Sequence, residues 1–351
     1  MIKAWACNEP KGKLAEWSYK PRELGPQDVE IKIDCCGICG SDVHYLDGDW
    51  GNSKYPAVVG HEIIGQVVSK GAEVTHLSLG DRVGVGAQVF SCMEPDCISC
   101  SRDLHPHCKK QVLTYGGKYA DGEQSRGGYA EAVRVNAHFA FKIPEKLSSA
   151  EAAPLMCAGT TVFTPMIRFG LKKGDRVGVV GIGGLGHLAL QFANALGCEV
   201  TAFSHSPNKK EECLKLGANK VVITTDEEEV RKCARSLDYL FITSNAKTSD
   251  FSAYFTWVDF GGKICLLAAP ASKLEFSPAL FIHNEVYIGG SAIGGIETIK
   301  ETLDFAAKNN VRPIIERLPM SRCNEGVERV RDGKVRYRVV LENRPITSSM
   351  L

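Results

Sequence analysis

The sequence predicts an α/β plus β chain, in which a doubly wound parallel sheet is joined to a β-rich unit of irregular strands. Three observations carry this reading. The chain has 351 residues, too many for one ordinary core, so two domains are expected. From about residue 155 to 295, short apolar strands alternate with helix-like stretches, the pattern of a parallel sheet covered on both faces. From residue 1 to about 150, short β-type runs are broken by Gly, Pro and Asp, and few segments hold a helical period.

In chain order, "VEIKIDCCG", "IIGQVVSKG", "DRVGVGA" and "YAEAVRV" read as strands of an irregular, mostly β unit with partly open barrel character. The next strands are "RVGVV", "EVTAF", "KVVI", "YLFITS", "KICLLAA" and "EVYIGG". Between them lie the helical stretches "HLALQFANALG", "PNKKEECLKLGA" and "DEEEVRKCARSL". The tail holds one strong amphipathic helix, "GIETIKETLDFAAKNN", and a last strand, "RYRVVLEN". No internal repeat or low-complexity tract interrupts this order.

Composition narrows the function classes. Hydrophobic residues at 44% and charged residues at 24% make the balance of a soluble globular chain. A net charge of +1 provides no field toward nucleic acid or an anionic membrane. No apolar run approaches the ~20 residues of a membrane helix. The N-terminal "MIKAWACNEPKGKLAEW" lacks the apolar centre of a signal peptide, so a cytoplasmic setting with reduced thiols is expected. The C-terminal "SSML" has the shape of a degenerate peroxisomal address, Ser349-Met350-Leu351, or of a frayed tail.

In such a setting the clustered members of the fourteen cysteines read as metal ligands or catalytic groups before disulfides. Isolated ones, Cys7, Cys198, Cys213, Cys233, Cys265 and Cys323, with Cys35 and Cys36, read as small buried hydrophobes. The stretch "SCMEPDCISCSRDLHPHC" packs four cysteines and two histidines into residues 91–108. By itself it fits a metal knot, a pair of disulfides, a redox switch or an active site.

The glycine loop has a sharper signature. "RVGVVGIGGLGHLALQFANALG" places Gly181, Gly183 and Gly186 in G-x-G-x-x-G spacing, with Gly184 and Leu185 inside it. An apolar strand enters and an apolar-periodic helix leaves, the context a dinucleotide loop needs. The glycines let the backbone turn and approach a pyrophosphate, which the helix N–H groups and dipole then meet. About twenty residues on, an NAD site wants an acid for the ribose 2′-OH. Here the strand ends on Ser204, followed by His205, Ser206 and Lys209. Hydroxyls and ammonium groups without a carboxylate favour a 2′-phosphate, hence NADP(H).

"CGICGSDVH", "YPAVVGHEIIG", the four-cysteine lobe, "RGGYAEAVRV", "PLMCAGTTVFTP", "GIGGLGH", "SAIGG" and "VRYRVV" occur together and in order. On these motifs the chain resembles the zinc-dependent medium-chain alcohol dehydrogenases, in their cinnamyl alcohol dehydrogenase-like branch. The resemblance implies a GroES-like catalytic domain over residues 1–157, to which 295–351 return. It implies a Rossmann cofactor domain over 158–294. It assigns Cys39, His61 and Cys157 to a catalytic zinc, with Glu62 as an alternate ligand or a neighbouring carboxylate. Ser41 matches a hydroxyl on the substrate oxygen, His44 a histidine passing protons to solvent, and Asp42 a supporting acid. Thr161, Thr243, Ser291 and Arg338 join the expected cofactor contacts, Arg338 near the pyrophosphate.

In the same way Cys92, Cys97, Cys100 and Cys108 match a structural zinc, giving two Zn2+ per chain. The four-residue gap from Cys92 to Cys97 exceeds the family's usual two, which leaves His105 or His107 as substitutes for Cys92. The implied activity is hydride transfer between NADP(H) and a primary alcohol or aldehyde, aromatic (cinnamyl-type) or medium-chain aliphatic, in a homodimer. Tyr45, Trp50 and Tyr55 are expected either at the pocket mouth or in packing. The rival readings are an NAD-dependent polyol or sugar dehydrogenase, and a non-catalytic zinc-binding module. No nucleic-acid or membrane partner is expected.

Overall fold

The structure, a computed structural model, describes residues 1–244, 251–268 and 274–343. It has two compact units: Met1–Thr160 with Ile293–Ala307 and the chain from Pro313 onward, and Thr161–Ala292 with Lys308–Arg312.

In the second unit six strands lie side by side in the order Lys220–Ile223, Glu199–Ser204, Arg176–Val180, Leu237–Ile242, Val258–Leu266 and Tyr287–Gly290. Every pairing is parallel. The first strand in sequence is central and the order reverses beside it, which is a doubly wound Rossmann sheet. Its central strands are apolar on successive residues because both faces are covered: Val177, Val179, Leu240 and Phe241 are all buried. The helix Gly186–Ala195 presses Leu188, Ala189, Leu190 and Phe192 onto the sheet. Gly197, with φ +82°, takes the chain out of that helix at the predicted place. The acidic stretch "DEEEVRKCARSL" forms a helix only over Glu227–Arg231. It has a single apolar stripe, Val230 and Cys233, and Arg235 at φ +54° turns the chain toward the next strand.

The first unit holds a seven-stranded mixed sheet. Its path runs Ile315–Pro319, Arg338–Glu342, Asp28–Ile38, Ile63–Lys70, Arg82–Val85 and Phe141–Lys142, with Ala132–Asn136 also paired to Asp28–Ile38. The long strand Asp28–Ile38 thus serves three neighbours, and register shifts along it supply the curvature. The last strand of the chain, Arg338–Glu342, lies antiparallel to it with Val339 opposite Ile38. Two short hairpins complete the unit: Ile2–Cys7 with Leu14–Tyr19, and Gln88–Phe90 with Val112–Leu113. The core gathers Val29, Ile31, Ile33, Ile63, Val67, Val83, Val85, Tyr129 and Val339. All eight cysteines read as small hydrophobes are buried. No helix of the described residues is long and apolar enough to cross a membrane. The Ser-Met-Leu end lies outside the described residues.

Candidate functional site

The strand Asp28–Ile38 delivers Cys39 to the start of the helix Gly40–Asp47. Cys39 caps that helix, and Asp42 Oδ2 accepts from the Cys39 amide at 2.8 Å. The other oxygen of Asp42 accepts from Gly60 N at 3.1 Å. One fully buried carboxylate therefore ties the Cys39 segment to the turn that carries His61 and Glu62. Gly60, at φ +101°, has no room for a side chain: a Cβ there would lie 2.6 Å from the Tyr129 ring. Cys157 comes from a π-helical turn, Leu155–Gly159, inserted between the helices Ser149–Pro154 and Thr160–Phe169. Such single turns re-aim a side chain inside otherwise regular helix.

These segments bring Cys39, His61, Glu62 and Cys157 together, with one ligand atom from each lying within 4.8 Å of the others. Cys39 Sγ is 3.9 Å from Cys157 Sγ, and His61 Nε2 is 3.2 Å from the same sulfur. The hydrogen bond to Cys157 holds the Cys39 thiol well below its usual range despite burial, with help from His61 and Arg338. The same bond and burial push Cys157 up, so the pair keeps its negative charge on Cys39. Burial acts to lower His61, yet Asp42 and Cys39 raise it well above the ordinary imidazole value. The site thus favours added positive charge. Glu62 Oε2 is buried and has no hydrogen-bond partner among the described residues. An orphaned carboxylate oxygen beside two thiols and an imidazole is the donor set that a divalent zinc-type cation satisfies.

Sequence reasoning missed two features of this centre. Arg338 pairs with Glu62, both nearly devoid of solvent, so its observed partner is a carboxylate of the ligand cluster. Burial pushes the Glu62 carboxyl up to about 8, while Arg338 works to lower it. Gly37 leaves space for that carboxylate, since a Cβ there would come within 2.0 Å of Glu62 Oε2. Neither feature has a local signal, because Glu62 and Arg338 meet only through strand pairing across 276 residues.

Ser41 and His44 sit on the same short helix. Ser41 Oγ is 3.7 Å from Cys39 Sγ, and His44 Nδ1 is 2.8 Å from Asp49 Oδ2. Tyr45 and Tyr55 are engaged in packing. The Tyr55 hydroxyl donates to Leu46 O at 3.0 Å, and the Tyr45 ring meets Tyr115 edge-on at 5.1 Å. Trp50 is 53% exposed and lies 5.7 Å from the His44 ring.

Cys92, Cys97, Cys100 and Cys108 form a second cluster within the same 4.8 Å limit. Cys92 Sγ is 3.7 Å from Cys100 Sγ and 3.5 Å from Cys108 Sγ. The extra residues after Cys92 are absorbed by Met93 at φ +53° and by a turn closed from Cys97 N to Glu94 O, 3.0 Å. His105 is occupied elsewhere: its Nδ1 lies 3.3 Å from Ile296 N and 3.2 Å from Asp103 Oδ1. The thiols are free and no disulfide joins them. Four thiols this close together are the donor set of a closed structural zinc site.

In the other unit the strand Arg176–Val180 runs into Gly181 at φ +87°, where a Cβ would strike Ser244 at 2.4 Å. At Gly186 a Cβ would lie 2.1 Å from Gly181 O, whereas at Gly183 it would meet nothing within 4 Å. The outer glycines are thus packing requirements, and the middle one leaves an open cradle at the start of the helix Gly186–Ala195. Thr243 Oγ1 donates to Gly181 O at 2.6 Å and braces the loop from the next strand. Ser204 and Ser206 bond one another at the tip of the strand Glu199–Ser204, with Ser206 N 3.1 Å from Ser204 Oγ. Lys209 Nζ donates to Ile182 O at 2.7 Å, His205 is exposed, and Thr161 is buried in the first turn of its helix. Ser291 Oγ is buried without a hydrogen-bond partner among the described residues.

The chain is similar to known proteins in sequence and in fold. The Alcohol dehydrogenase GroES-like domain matches residues 25–145, and the Zinc-binding dehydrogenase domain matches 184–308. A probable mannitol dehydrogenase from Mesembryanthemum crystallinum is 40% identical over 340 residues, covering 96% of this chain and 93% of the relative. A solved cinnamyl alcohol dehydrogenase from Sorghum bicolor superposes with a TM-score of 0.93 at 36% identity, covering 97% of each chain. A Helicobacter pylori structure of the same type, complexed with NADP(H), gives 0.89 at 30% identity, again over 97% of each. With both thiol clusters and the glycine loop in place, the chain belongs to the zinc-dependent medium-chain alcohol dehydrogenases, in their cinnamyl alcohol dehydrogenase-like branch.

Proposed function

We propose that this protein is an NADP(H)-dependent alcohol dehydrogenase that reduces aldehydes to primary alcohols, aromatic or medium-chain aliphatic, and catalyses the reverse reaction. The observation that carries this reading is the convergence of Cys39, His61, Glu62 and Cys157 from three separate segments into one buried donor set. Cys39, His61 and Cys157 would hold a zinc through three protein ligands and leave one position open, whereas Cys92, Cys97, Cys100 and Cys108 would close around a second. When bound, zinc supplies a Lewis acid for the carbonyl oxygen and NADPH a hydride for the carbon.

The chain's own groups do the rest. Ser41 Oγ gives its proton to the developing alkoxide and is resupplied through His44, which Asp49 holds, or through the cofactor ribose. Arg338 pairs with one oxygen of Glu62, and the other has no hydrogen-bond partner among the described residues. Gly181, Gly183, Gly184, Leu185 and Gly186 would receive the pyrophosphate on backbone N–H groups, and Thr161, Thr243 and Ser291 would support the nucleotide. Ser204, His205, Ser206 and Lys209 would take the 2′-phosphate, with no carboxylate among residues 204–210 to repel it. The relative complexed with NADP(H) supports that choice.

We assign the protein to the cytoplasm as a homodimer. What supports a dimer is the edge strand Tyr287–Gly290, which exposes Tyr287 and follows the exposed Ile282. The mannitol dehydrogenase name of one relative favours a polyol as the second reading. A panel of aldehydes and polyols assayed with NADPH and NADH, paired with metal counting, separates the two. Two zincs per chain, fast aldehyde reduction with NADPH and no turnover by C39S are expected. Preferred oxidation of polyols with NAD would replace the reading, and unchanged turnover by C39S would overturn it.

A further inference from the structure

We propose that Tyr115 is a positioning residue of the Cys39–His61–Cys157 centre, its hydroxyl fixing which nitrogen of His61 faces the metal. The inference rests on the metal-site reading above and goes beyond it to a residue outside every motif of the chain.

His61 Nε2 points at the sulfurs, 3.2 Å from Cys157 Sγ. For that nitrogen to offer a lone pair, the proton of the neutral ring must sit on Nδ1 and find an acceptor. Two oxygens face Nδ1: Tyr115 Oη at 3.2 Å and Asp42 Oδ1 at 3.4 Å. Asp42 is already heavily engaged, accepting from Cys39 N, from Gly60 N and, at 3.4 Å, from Tyr129 Oη. Tyr115 Oη is therefore the closer of the two oxygens that Nδ1–H can reach. Nδ1–H thus faces the Tyr115 oxygen, with the Asp42 carboxylate alongside it.

The ring of Tyr115 adds a second constraint. It lies against the imidazole with centroids 5.5 Å apart and planes 28° from parallel. Tyr45 meets it edge-on, and Gly116, at φ +72°, is free of side chain where a Cβ would come within 2.8 Å of Tyr45. The preceding hairpin, Gln88–Phe90 with Val112–Leu113, and the bond from Thr114 Oγ1 to Gly86 O, 2.5 Å, set the backbone that presents it. Tyr115 is thus held in place by several elements before any metal arrives, as a ligand-orienting group must be.

The test uses the full-length protein stripped of metal and titrated with Zn2+ against a chromophoric chelator, alongside Co2+ spectra. Wild type should show two sites, one of which disappears in C39S and so identifies this centre. Y115F keeps the ring but removes the hydroxyl, and should weaken that site alone by about 10–100-fold. Its cobalt bands should shift, while the four-cysteine site titrates as in wild type. Incorporating 3-fluorotyrosine at position 115 preserves shape and weakens the oxygen as acceptor. It should move affinity and bands in the same direction by less, and it decides the matter if Y115F does not fold. Wild-type affinity and bands in both variants, or equal weakening of both sites, would overturn the role of Tyr115. A wild-type titration with no site sensitive to C39S would overturn the reading of the centre itself, and the proposal with it.

Discussion

Asp103 lies inside the four-cysteine lobe yet acts on a helix nearly two hundred residues away, and removing it tests how the lobe is used. The helix Ile296–Lys308 begins with amides that have no partner in the helix itself. Asp103 Oδ1 accepts from Glu297 N at 2.9 Å, and Oδ2 from Thr298 N at 3.0 Å and Thr298 Oγ1 at 2.6 Å. Gly295 permits the approach, since a Cβ there would lie 2.0 Å from Asp103 O. Burial alone would raise the Asp103 carboxyl, but the hydrogen bonds from His105, Thr298 and the Glu297 amide hold it at about 2. Against an ordinary 3.8, that corresponds to about 2 kcal/mol in favour of the folded state at neutral pH. With the side chain 23% open to water, screening trims the figure to about 1–2 kcal/mol, which is also the range for losing a helix cap.

D103A should therefore lower the thermal midpoint of the catalytic unit by roughly 2–8 °C at pH 7, and D103N, which keeps an acceptor without the charge, by less. The sign with pH follows from the depressed carboxyl: its contribution is complete above about pH 5 and disappears as pH falls toward 2. Wild-type and variant midpoints should converge over that window when followed by scanning calorimetry. Equal midpoints at pH 7, or a gap that persists unchanged at pH 2, would refute the reasoning.

Other expectations follow from the same contacts. G37A places a methyl group where Glu62 Oε2 lies, so metal content at the Cys39 centre and kcat should fall together, by tenfold or more, as counted by metal analysis and initial rates. K209M should raise the KM for NADPH by about 10–100-fold, the loss of one charge-assisted bond, and leave the KM for NADH in place; steady-state kinetics with both cofactors checks this. In the Rossmann unit Arg176 grips Asp238 at 2.5 Å and Asp259 at 2.9 Å, and holds both carboxyls below their usual range. That contribution is present above the ordinary carboxylate range and is lost as acid protonates both groups. Denaturant midpoints of wild type should accordingly drop below about pH 4 more steeply than those of R176M. C97S should release the metal of the four-cysteine lobe while leaving the site sensitive to C39S, as metal counting would show.

The fold was legible wherever a local rule applies. Strands such as Arg176–Val180 and Glu199–Ser204 announce themselves by apolar runs that only a sheet covered on both faces uses. The glycine loop announces itself by spacing between a strand and a helix. The helix at Glu227–Arg231 was overestimated because charge pattern cannot say where a chain must turn toward its next strand. The eight isolated cysteines were legible as core for the same reason that any small apolar residue is.

By itself the sequence determined the alternation of elements, the dinucleotide loop, the lack of an acid at the strand end where Ser204 stands, and the dense cysteine lobe, all carried by neighbours within about twenty residues. The ligand set Cys39, His61 and Cys157 came from resemblance, since no spacing rule joins residues 22 and 96 positions apart. Tertiary structure alone decided that Arg338 meets Glu62, that Gly37 makes room for that carboxylate, that Asp103 caps a distant helix, and that Tyr115 stands behind His61. These contacts depend on sheet register and loop path. Burial in a low-dielectric interior makes partner choice costly to get wrong, and it acts between side chains far apart in sequence.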